Sequence, residues 1–112
     1  MKKIEAIIRE EKLNEVKEAL EKINIFGMTV FDVKGRGGQR GISLQWRVGE
    51  YHVDFLPKKL IMMVIKDEDC QKIVDVICEI SSSGAAGDGK IFISTVDEVI
   101  RVRTKESGEK AL

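Results

Sequence analysis

The stretch KLIMMVIKDEDCQKIVDVICEI, residues 59–80, carries the two patterns from which the fold is predicted. It begins with KLIMMVIK, a continuous apolar run that is typical of a strand buried on both faces. Asp67 is placed to cap a following helix. The apolar residues of that helix recur at helical spacing, and they are Ile73, Val76, Ile77 and Ile80. The stretch therefore predicts a strand followed by an amphipathic helix.

A glycine-rich segment, SSSGAAGDGKIF at residues 81–92, follows this helix. Gly84 and Gly89-Lys90 fit part of a phosphate-binding P-loop, but Ile91 stands where that loop needs a serine or threonine for Mg²⁺. A P-loop also runs from a strand into a helix, whereas this segment leaves a helix and enters a strand predicted from Ile91. The segment is therefore not a P-loop. Its glycines and lysine can still hold an anion, and a plain helix-to-strand connection is the alternative.

The N-terminal half of the chain shows the same order of patterns. KKIEAIIR, residues 2–9, predicts a strand, and KLNEVKEALEKI, residues 12–23, predicts an amphipathic helix. MTVFDVK, residues 28–34, predicts a second strand. The residues expected on the buried faces are Ile4, Ala6 and Ile8 in the strand and Leu13, Val16, Leu20 and Ile23 in the helix.

The chain thus has the order β-α-β, a long loop and β-α-β, which is the split βαβ pattern of ferredoxin-like folds. We expect one domain over residues 1–112, an α+β, ferredoxin-like βαββαβ sandwich. The long loop, about residues 36–55, lies between its second and third strands. Two helices would cover one face of a four-stranded antiparallel sheet. The other face of the sheet would also need to be buried, and contact with further subunits of an oligomer could bury it.

Composition argues against several classes of protein. Hydrophobic residues make up 43% and charged residues 34% of the chain, as in soluble globular proteins. The 19 Lys and Arg residues are balanced by 19 Asp and Glu residues, so bulk electrostatic attraction to nucleic acid has no support. Apolar runs are too short to cross a bilayer, and acidic residues interrupt residues 1–12 too early for a signal peptide. We therefore expect a cytoplasmic protein that is neither membrane-inserted nor bound to nucleic acid.

The two cysteines, Cys70 and Cys78, lie eight residues apart on the same predicted helix. At about 1.5 Å per residue their Cα atoms would be roughly 12 Å apart, too far for a disulfide. With the one histidine, His52, they form no recognisable zinc spacing. We expect both thiols to be reduced.

The long loop is the first indication of a binding function. A loop of roughly 20 residues exceeds the ~12–15 residues that compact domains usually retain without a functional reason. Its composition favours recognition, since it contains types enriched at binding hot spots: Arg36, Arg40, Trp46, Arg47 and Tyr51. A tolerated insertion is the alternative.

Arg101 and Arg103 are the second indication. They lie in VIRVRT, residues 99–104, whose period-two alternation predicts a strand. Two residues apart on a strand, their guanidinium groups would point to the same side and suit a polyphosphate. The alternative is a solvated strand face.

Several ordered motifs together carry a resemblance to a known family. They are Ser83 followed by Gly87-Asp88-Gly89-Lys90-Ile91-Phe92, GMTV at 27–30, VKGRG at 33–37, VDFLPK at 53–58 and RVRT at 101–104. Over essentially its whole length the chain resembles the PII nitrogen-regulatory signal-transduction proteins.

The resemblance implies a sensor, not an enzyme. Proteins of this family are compact homotrimers of ferredoxin-like subunits. ATP and ADP compete for a cleft between neighbouring subunits, and 2-oxoglutarate joins bound Mg-ATP. The long loop would be the family's T-loop, and the glycine segment, residues 82–90, its B-loop.

Carried over by position, the resemblance also implies the ligand-binding residues. The nucleotide would contact Thr29, Gly35, Gly37, Gln39, Val64, Gly87, Asp88, Gly89, Lys90, Arg101 and Arg103, the two arginines coming from the neighbouring subunit. 2-Oxoglutarate would contact Gln39, Lys58 and Gly87. Gln39 would also ligate the Mg²⁺ bound to the ATP phosphates, and Lys58 would pair with a carboxylate of the acid.

Two residues of the long loop match positions that act on other proteins in this family. Arg47 matches the arginine that some relatives insert into the pore of an ammonium transporter. Tyr51 matches the tyrosine that is uridylylated in many bacterial relatives. The implied partner is an ammonium transporter, which would bring the protein to the membrane; a nitrogen-metabolism enzyme such as nitrogenase or glutamine synthetase is the alternative.

The chain departs from the family's pattern at several positions. Trp46 and Val48 differ from the usual residues around the tyrosine. Gly38 stands where many relatives have an arginine near phosphate, and Met62 where many have a glutamate near the adenine. These departures would change arm recognition and nucleotide preference.

Two other functions fit the residues less well. An enzyme that hydrolyses nucleotides would need a nucleophile and a base, and His52 has no orienting partner visible in the sequence. Slow ATP hydrolysis would be incidental. An RNA-binding module on the same fold would need aromatic residues on the open sheet face and a basic surplus, which the sequence does not supply.

Overall fold

The computed structural model describes residues 1–38, 40–46 and 49–112, with the backbone alone at Trp46 and Tyr51. These residues form strands β1 (Lys2–Arg9), β2 (Thr29–Gly35), β3 (Ile42–Trp46), β4 (Gly49–Val53), β5 (Leu56–Ile65) and β6 (Gly89–Thr95). They also form helices α1 (Leu13–Glu21) and α2 (Cys70–Ser81), and short 3-10 turns at Glu10–Lys12, Asp67–Asp69 and Gly108–Ala111. Neither helix of the described residues has the length and apolar content needed to cross a membrane.

The main sheet is antiparallel and has the strand order β2-β5-β1-β6. Its two inner strands are therefore the first strand of each β-α-β half. In the register, Ala6 of β1 lies between Ile61 of β5 and Ile91 of β6. The predicted α+β, ferredoxin-like arrangement is confirmed.

The hydrophobic core lies between this sheet and the two helices. In β1 the residues alternate strictly, so that Ile4, Ala6 and Ile8 are at most 2% exposed. They meet the buried side chains of the neighbouring strand and of both helices: Ile61, Met63, Ile65, Val16, Leu20, Ile73 and Ile77. Full burial of such aliphatic side chains stabilises the fold by about 1.5–3 kcal/mol each. The predicted apolar faces of β1, α1 and α2 are therefore confirmed.

The opposite face of the sheet, here called the open face, carries no helix in the described residues. Its apolar side chains include Ile7, Phe31, Leu60, Met62, Val64 and Phe92, and Phe31 and Phe92 are 46% and 52% exposed. The prediction that the KLIMMVIK strand is buried on both faces is therefore wrong for this chain by itself. Ile61, Met63 and Ile65 are covered by helices, whereas the alternate residues of β5 are half-buried.

Asp67 does not cap a helix. It lies in the turn Asp67–Asp69, and α2 begins after Asp69 without a side-chain capping bond. The carboxylate of Asp67 instead lies 3.0 Å from the ammonium group of Met1, whose hydrogen bond and charge lower the pKa of Asp67. The Asp67 carboxylate therefore links the residue before β1 to the turn that precedes α2.

The predicted long loop contains regular structure. Strands β3 and β4 form a hairpin, here called the arm, in which Ile42 pairs with Val53 and Ser43 with His52. At its base Gly41 adopts a φ of +85°, and a Cβ there would lie 1.8 Å from the carbonyl oxygen of Val53. The two ends of the arm thus approach so closely that residue 41 has to be glycine.

Residues 99–104 do not form the predicted strand. The segment forms an isolated bridge between Ile100 and Ser107 around a turn. Within it the Arg101 amide donates to the Glu106 carbonyl over 2.9 Å, and the Lys105 amide donates to the Arg101 carbonyl over 2.8 Å. Because these local bonds replace a sheet ladder, Arg101 and Arg103 do not share a strand face.

Cys70 and Cys78 are both free, as predicted. Cys70, at the start of α2, is half-buried and packs against the core, whereas Cys78 is exposed.

Candidate functional site

A cleft of about 680 Å³ lies at one end of the main sheet. Here β1 and β2 end while β5 and β6 begin, because Arg9 pairs with Lys58 and Ile8 pairs with Gly89. One wall is formed by the residues that follow β2, and the opposite wall by the second half of the glycine loop, residues 82–90. Antiparallel pairing therefore brings three separate chain segments around one space.

Most of the residues predicted to bind phosphate or dicarboxylate line this cleft. They are Gly35, Gly37, Lys58, Gly87, Asp88, Gly89 and Lys90. The structure brings these positions together, and ligand binding by them stays a prediction.

The remaining predicted residues lie elsewhere. Thr29 pairs with Met62 in the middle of the sheet, and Val64 lies two residues farther along β5 on the same face. Arg101 and Arg103 lie in the C-terminal turn, where the Arg101 guanidinium contacts the Glu106 carboxylate at 3.3 Å and the Leu112 carbonyl at 3.0 Å. None of these four residues lines the cleft.

Three arm-related predictions cannot be compared with the structure. Gln39 and Arg47 lie outside the described residues. Tyr51 is described by its backbone alone, in β4 opposite Leu44.

The glycine loop has a backbone conformation that requires its glycines. Gly84, Gly87 and Gly89 have φ values of +79°, +94° and +112°. At Gly89 a Cβ would also lie 1.8 Å from the carbonyl oxygen of Ile7 in β1. At Gly87 a Cβ would meet the Arg9 guanidinium at 3.2 Å. The loop thus approaches β1 more closely than a residue with a side chain allows.

Asp88 holds the loop together from inside. Its carboxylate accepts hydrogen bonds from the Ser83 amide, over 2.7 Å, and from the Ser83 hydroxyl. The Arg9 guanidinium donates to the same carboxylate over 3.2 Å. The bonds from Ser83, followed by the contact with Arg9, lower the pKa of Asp88 to about 2. Asp88 therefore acts as a brace of the loop and is ionised at neutral pH.

Two cations from neighbouring strands meet the loop. Lys58 Nζ donates to the Gly87 carbonyl over 2.6 Å, and Arg9 Nη2 donates to the Ala86 carbonyl over 2.8 Å. Like charges directly opposite in a sheet repel each other, and the loop carbonyls and Asp88 offset that repulsion. The site therefore concentrates positive charge next to glycine backbone, which suits an anionic ligand. Sequence reasoning missed Arg9 because its place beside Lys58 depends on strand register.

A chain of polar contacts links the arm to the cleft. Arg36, which lines the cleft, contacts the Asp54 carboxylate at 3.5 Å, and His52 Nε2 lies 3.4 Å from the same carboxylate. The Ser43 hydroxyl lies 3.3 Å from His52 Nδ1. The structure thus supplies partners for His52 that were not visible in the sequence. A hydrolytic triad needs a buried carboxylate that serves the histidine, whereas Asp54 is 52% exposed and shared with Arg36.

The lowered pKa of Asp88 predicts an acid-sensitive loop. The stabilisation from its ionised form is complete above the ordinary aspartate pKa of about 3.9 and is lost as pH falls towards the folded-state value. We expect the Ser83 amide resonance to shift with a midpoint near pH 2, while the amide of Ala6 in the core reports whether the whole protein unfolds. An NMR titration from pH 6 downwards measures both. A Ser83 midpoint at pH 4 or above in the folded protein would contradict the brace, and Asp88→Asn provides the control without the transition.

Comparison with known proteins gives one consistent result. A family model described as Nitrogen regulatory protein P-II matches residues 1–106. The chain is 54% identical over 112 residues to nitrogen regulatory protein P-II 2 of Methanothermobacter thermautotrophicus, covering 100% of this chain and 97% of that protein. It is 49% identical to nitrogen regulatory protein P-II of Rhizobium meliloti and 50% identical to that of Pyropia yezoensis, in both cases over 100% of each chain.

Proposed function

Because the chain belongs to the nitrogen regulatory protein P-II family, we propose that it is a cytoplasmic signal-transduction protein that senses ATP, ADP and 2-oxoglutarate. It regulates nitrogen assimilation by binding a target protein through the arm. In this function the protein is a regulator, and any ATP hydrolysis is incidental.

The observation that carries this proposal is the composition of the cleft. Lys58, Lys90 and Arg36 line it together with six glycines, which are Gly35, Gly37, Gly38, Gly41, Gly87 and Gly89. Polyphosphates and dicarboxylates are recognised by such a combination of cations and exposed backbone amides. The cleft volume of about 680 Å³ is within the usual range for small-molecule sites.

The proposed metal enters with the nucleotide. Mg²⁺ keeps several waters and is commonly held through substrate phosphates and one or two protein ligands. We assign the metal-binding side chain to Gln39. In the sequence this residue directly follows Gly37 and Gly38, which line the cleft. Among the described residues, no group of three acidic, histidine or cysteine side chains is arranged to hold a metal ion.

The proposed assembly is a homotrimer in which the open face of each sheet is covered by neighbouring subunits. The apolar side chains on that face, Phe31 and Phe92 among them, are exposed in the single chain. Exposed apolar surface of this kind favours association. In this assembly Arg101 and Arg103 of the neighbouring subunit reach the bound phosphates, since neither arginine lines the cleft of its own chain.

Regulation follows from the position of the arm. The segment that follows β2 lines the cleft through Gly37 and Gly38 and reaches the base of the arm at Gly41. A ligand that contacts this segment favours some arm conformations over others. The coupling is reciprocal, so a target that binds the arm changes ligand affinity by the same factor, which is about 5–150-fold for typical coupling energies of 1–3 kcal/mol.

The proposed target is an ammonium transporter, reached through Arg47 in the arm, with Tyr51 as the candidate position for uridylylation. The alternative targets are nitrogenase and glutamine synthetase. Binding of the purified protein to membranes that contain a transporter, with and without ligands, separates the first target from the others.

The first experiment is calorimetry on the wild-type protein with ADP, Mg-ATP, and Mg-ATP followed by 2-oxoglutarate, together with a native mass measurement. We expect ADP and Mg-ATP to bind and to compete, 2-oxoglutarate to bind after Mg-ATP, and the mass to be three times 12.6 kDa. A 12.6-kDa species that binds no adenine nucleotide would refute the proposal.

A further inference from the structure

We propose that Arg36 is a further phosphate-binding residue of the cleft, and that Asp54 at the base of the arm holds its guanidinium in an ion pair that the ligand displaces. This inference rests on the proposed nucleotide-binding function. It adds a residue to the site and gives a direct contact through which ligand charge acts on the arm.

The placement of Arg36 supports this role. It follows β2 directly and lines the cleft next to Gly35 and Gly37, opposite the glycine loop. The neighbouring glycines leave the wall without side chains, so the planar guanidinium fork is the strongest donor on this side. Two other cations of this region are already engaged with the loop: Lys58 with the Gly87 carbonyl and Arg9 with Asp88.

The ion pair between Arg36 and Asp54 is suited to exchange. Its length is 3.5 Å, and the two side chains are 42% and 52% exposed. Exposed ion pairs of this kind contribute little stability, so a ligand phosphate can replace the carboxylate at small cost. After Arg36 leaves, the Asp54 carboxylate still has a neighbour, because His52 Nε2 lies 3.4 Å from it.

The exchange would remove a contact at the base of the arm. Arg36 precedes the β3–β4 hairpin and Asp54 follows it, so their contact joins the two ends of the arm across its base. When a ligand phosphate binds the Arg36 guanidinium, the ion pair with Asp54 is broken. The arm then retains its hairpin pairing but loses this restraint on its orientation.

The test is calorimetric titration of the full-length protein with ADP, using Arg36→Gln, Asp54→Asn and the double variant. We expect Arg36→Gln to weaken ADP binding about tenfold, because the charge-assisted hydrogen bond from Arg36 to the phosphate is lost. The exposed ion pair with Asp54, which the wild type breaks to form that bond, offsets little of the loss because it is weak. Asp54→Asn should tighten binding about threefold, because Arg36 no longer has to leave a partner. In the double variant the Asp54 substitution should have no effect beyond that of Arg36→Gln.

Controls separate this inference from the proposed function and from misfolding. Adenosine, which lacks phosphate, should bind the wild type and Arg36→Gln equally. Native mass and thermal melting of each variant should match the wild type. If the wild type binds ADP but Arg36→Gln binds it within twofold of the wild-type affinity, the inference is wrong and the proposed function stands. An Asp54→Asn effect that persists without Arg36 also overturns it, whereas failure of the wild type to bind ADP refutes both.

Discussion

Gly89→Ala is expected to destabilise the protein by about 2–5 kcal/mol, through backbone strain and overpacking together. The φ of Gly89 is +112°, a conformation that residues with a side chain rarely adopt. The added Cβ would also lie 1.8 Å from the carbonyl oxygen of Ile7 and 3.3 Å from the Cα of Ile8. Both contacts are with backbone of the central strand β1, which cannot move without breaking its pairing with β5.

The same substitution should also weaken ligand binding. Gly89 pairs with Ile8 at the start of β6 and lies between Asp88 and Lys90, which both line the cleft. A shift of the backbone there displaces the whole loop wall. We therefore expect loss of ADP binding in calorimetry even at temperatures where the variant is still folded.

Two other glycines provide matched controls. Gly84 has a φ of +79° but open space where a Cβ would lie, so Gly84→Ala isolates the cost of the backbone conformation, about 1 kcal/mol. Gly27 has open space and no unusual φ, so Gly27→Ala should change stability by less than about 1 kcal/mol. Urea unfolding at neutral pH measures all three variants. If Gly89→Ala were no less stable than Gly84→Ala, the close approach of the glycine loop to β1 would not exist in solution.

Lys58→Met should weaken the binding of 2-oxoglutarate to the Mg-ATP complex about a hundredfold, since a charged hydrogen-bonding group that meets a carboxylate contributes ~1.5–3 kcal/mol. Lys58 lines the cleft, and its ammonium group reaches the Gly87 carbonyl, so it already lies at the glycine loop where the acid is proposed to bind. Methionine keeps much of the side-chain length and removes the charge. ADP affinity should change much less, about threefold, because other cations serve the phosphates.

The neighbouring lysine supplies the control for this variant. Lys59 follows Lys58 in β5, and its side chain points to the other side of the sheet, where it pairs with Asp32. That contact raises the pKa of Lys59, and the residue does not line the cleft. Lys59→Met should therefore leave 2-oxoglutarate binding unchanged. Equal losses in the two variants would mean that Lys58 acts through general charge and does not contact the acid.

Local patterns were sufficient for the helices, the main strands and the core. Alternation in β1 and helical spacing in α1 and α2 each describe one buried face, and burial of that face is what makes the element stable. The family resemblance likewise pointed to Gly87, Asp88, Gly89 and Lys90, and the structure brings all four to the cleft; ligand binding by them stays a prediction.

Patterns failed where a partner distant in the sequence decided the outcome. The alternation of residues 99–104 resembled a strand, yet Arg101 bonds with Glu106 in a turn, because no neighbouring strand edge accepts it in the described structure. Asp67 had the type and place of a helix cap, yet the amino group of Met1 provides a charged partner. The arm was predicted as a loop, because the pairing of β3 with β4 depends on cross-strand contacts as well as local composition.

The sequence by itself determined the order of the main-sheet strands and the two helices, the fold class, the core faces and the family that the motifs resemble, because each of these can be recognised from residue types and their spacing along the chain. The tertiary structure alone decided that Arg9 stands beside Lys58, that Gly89 touches Ile7, and that Arg36 reaches Asp54. The physical reason is register: antiparallel pairing aligns residues far apart in the chain, and a shift of one residue would turn each side chain to the other face.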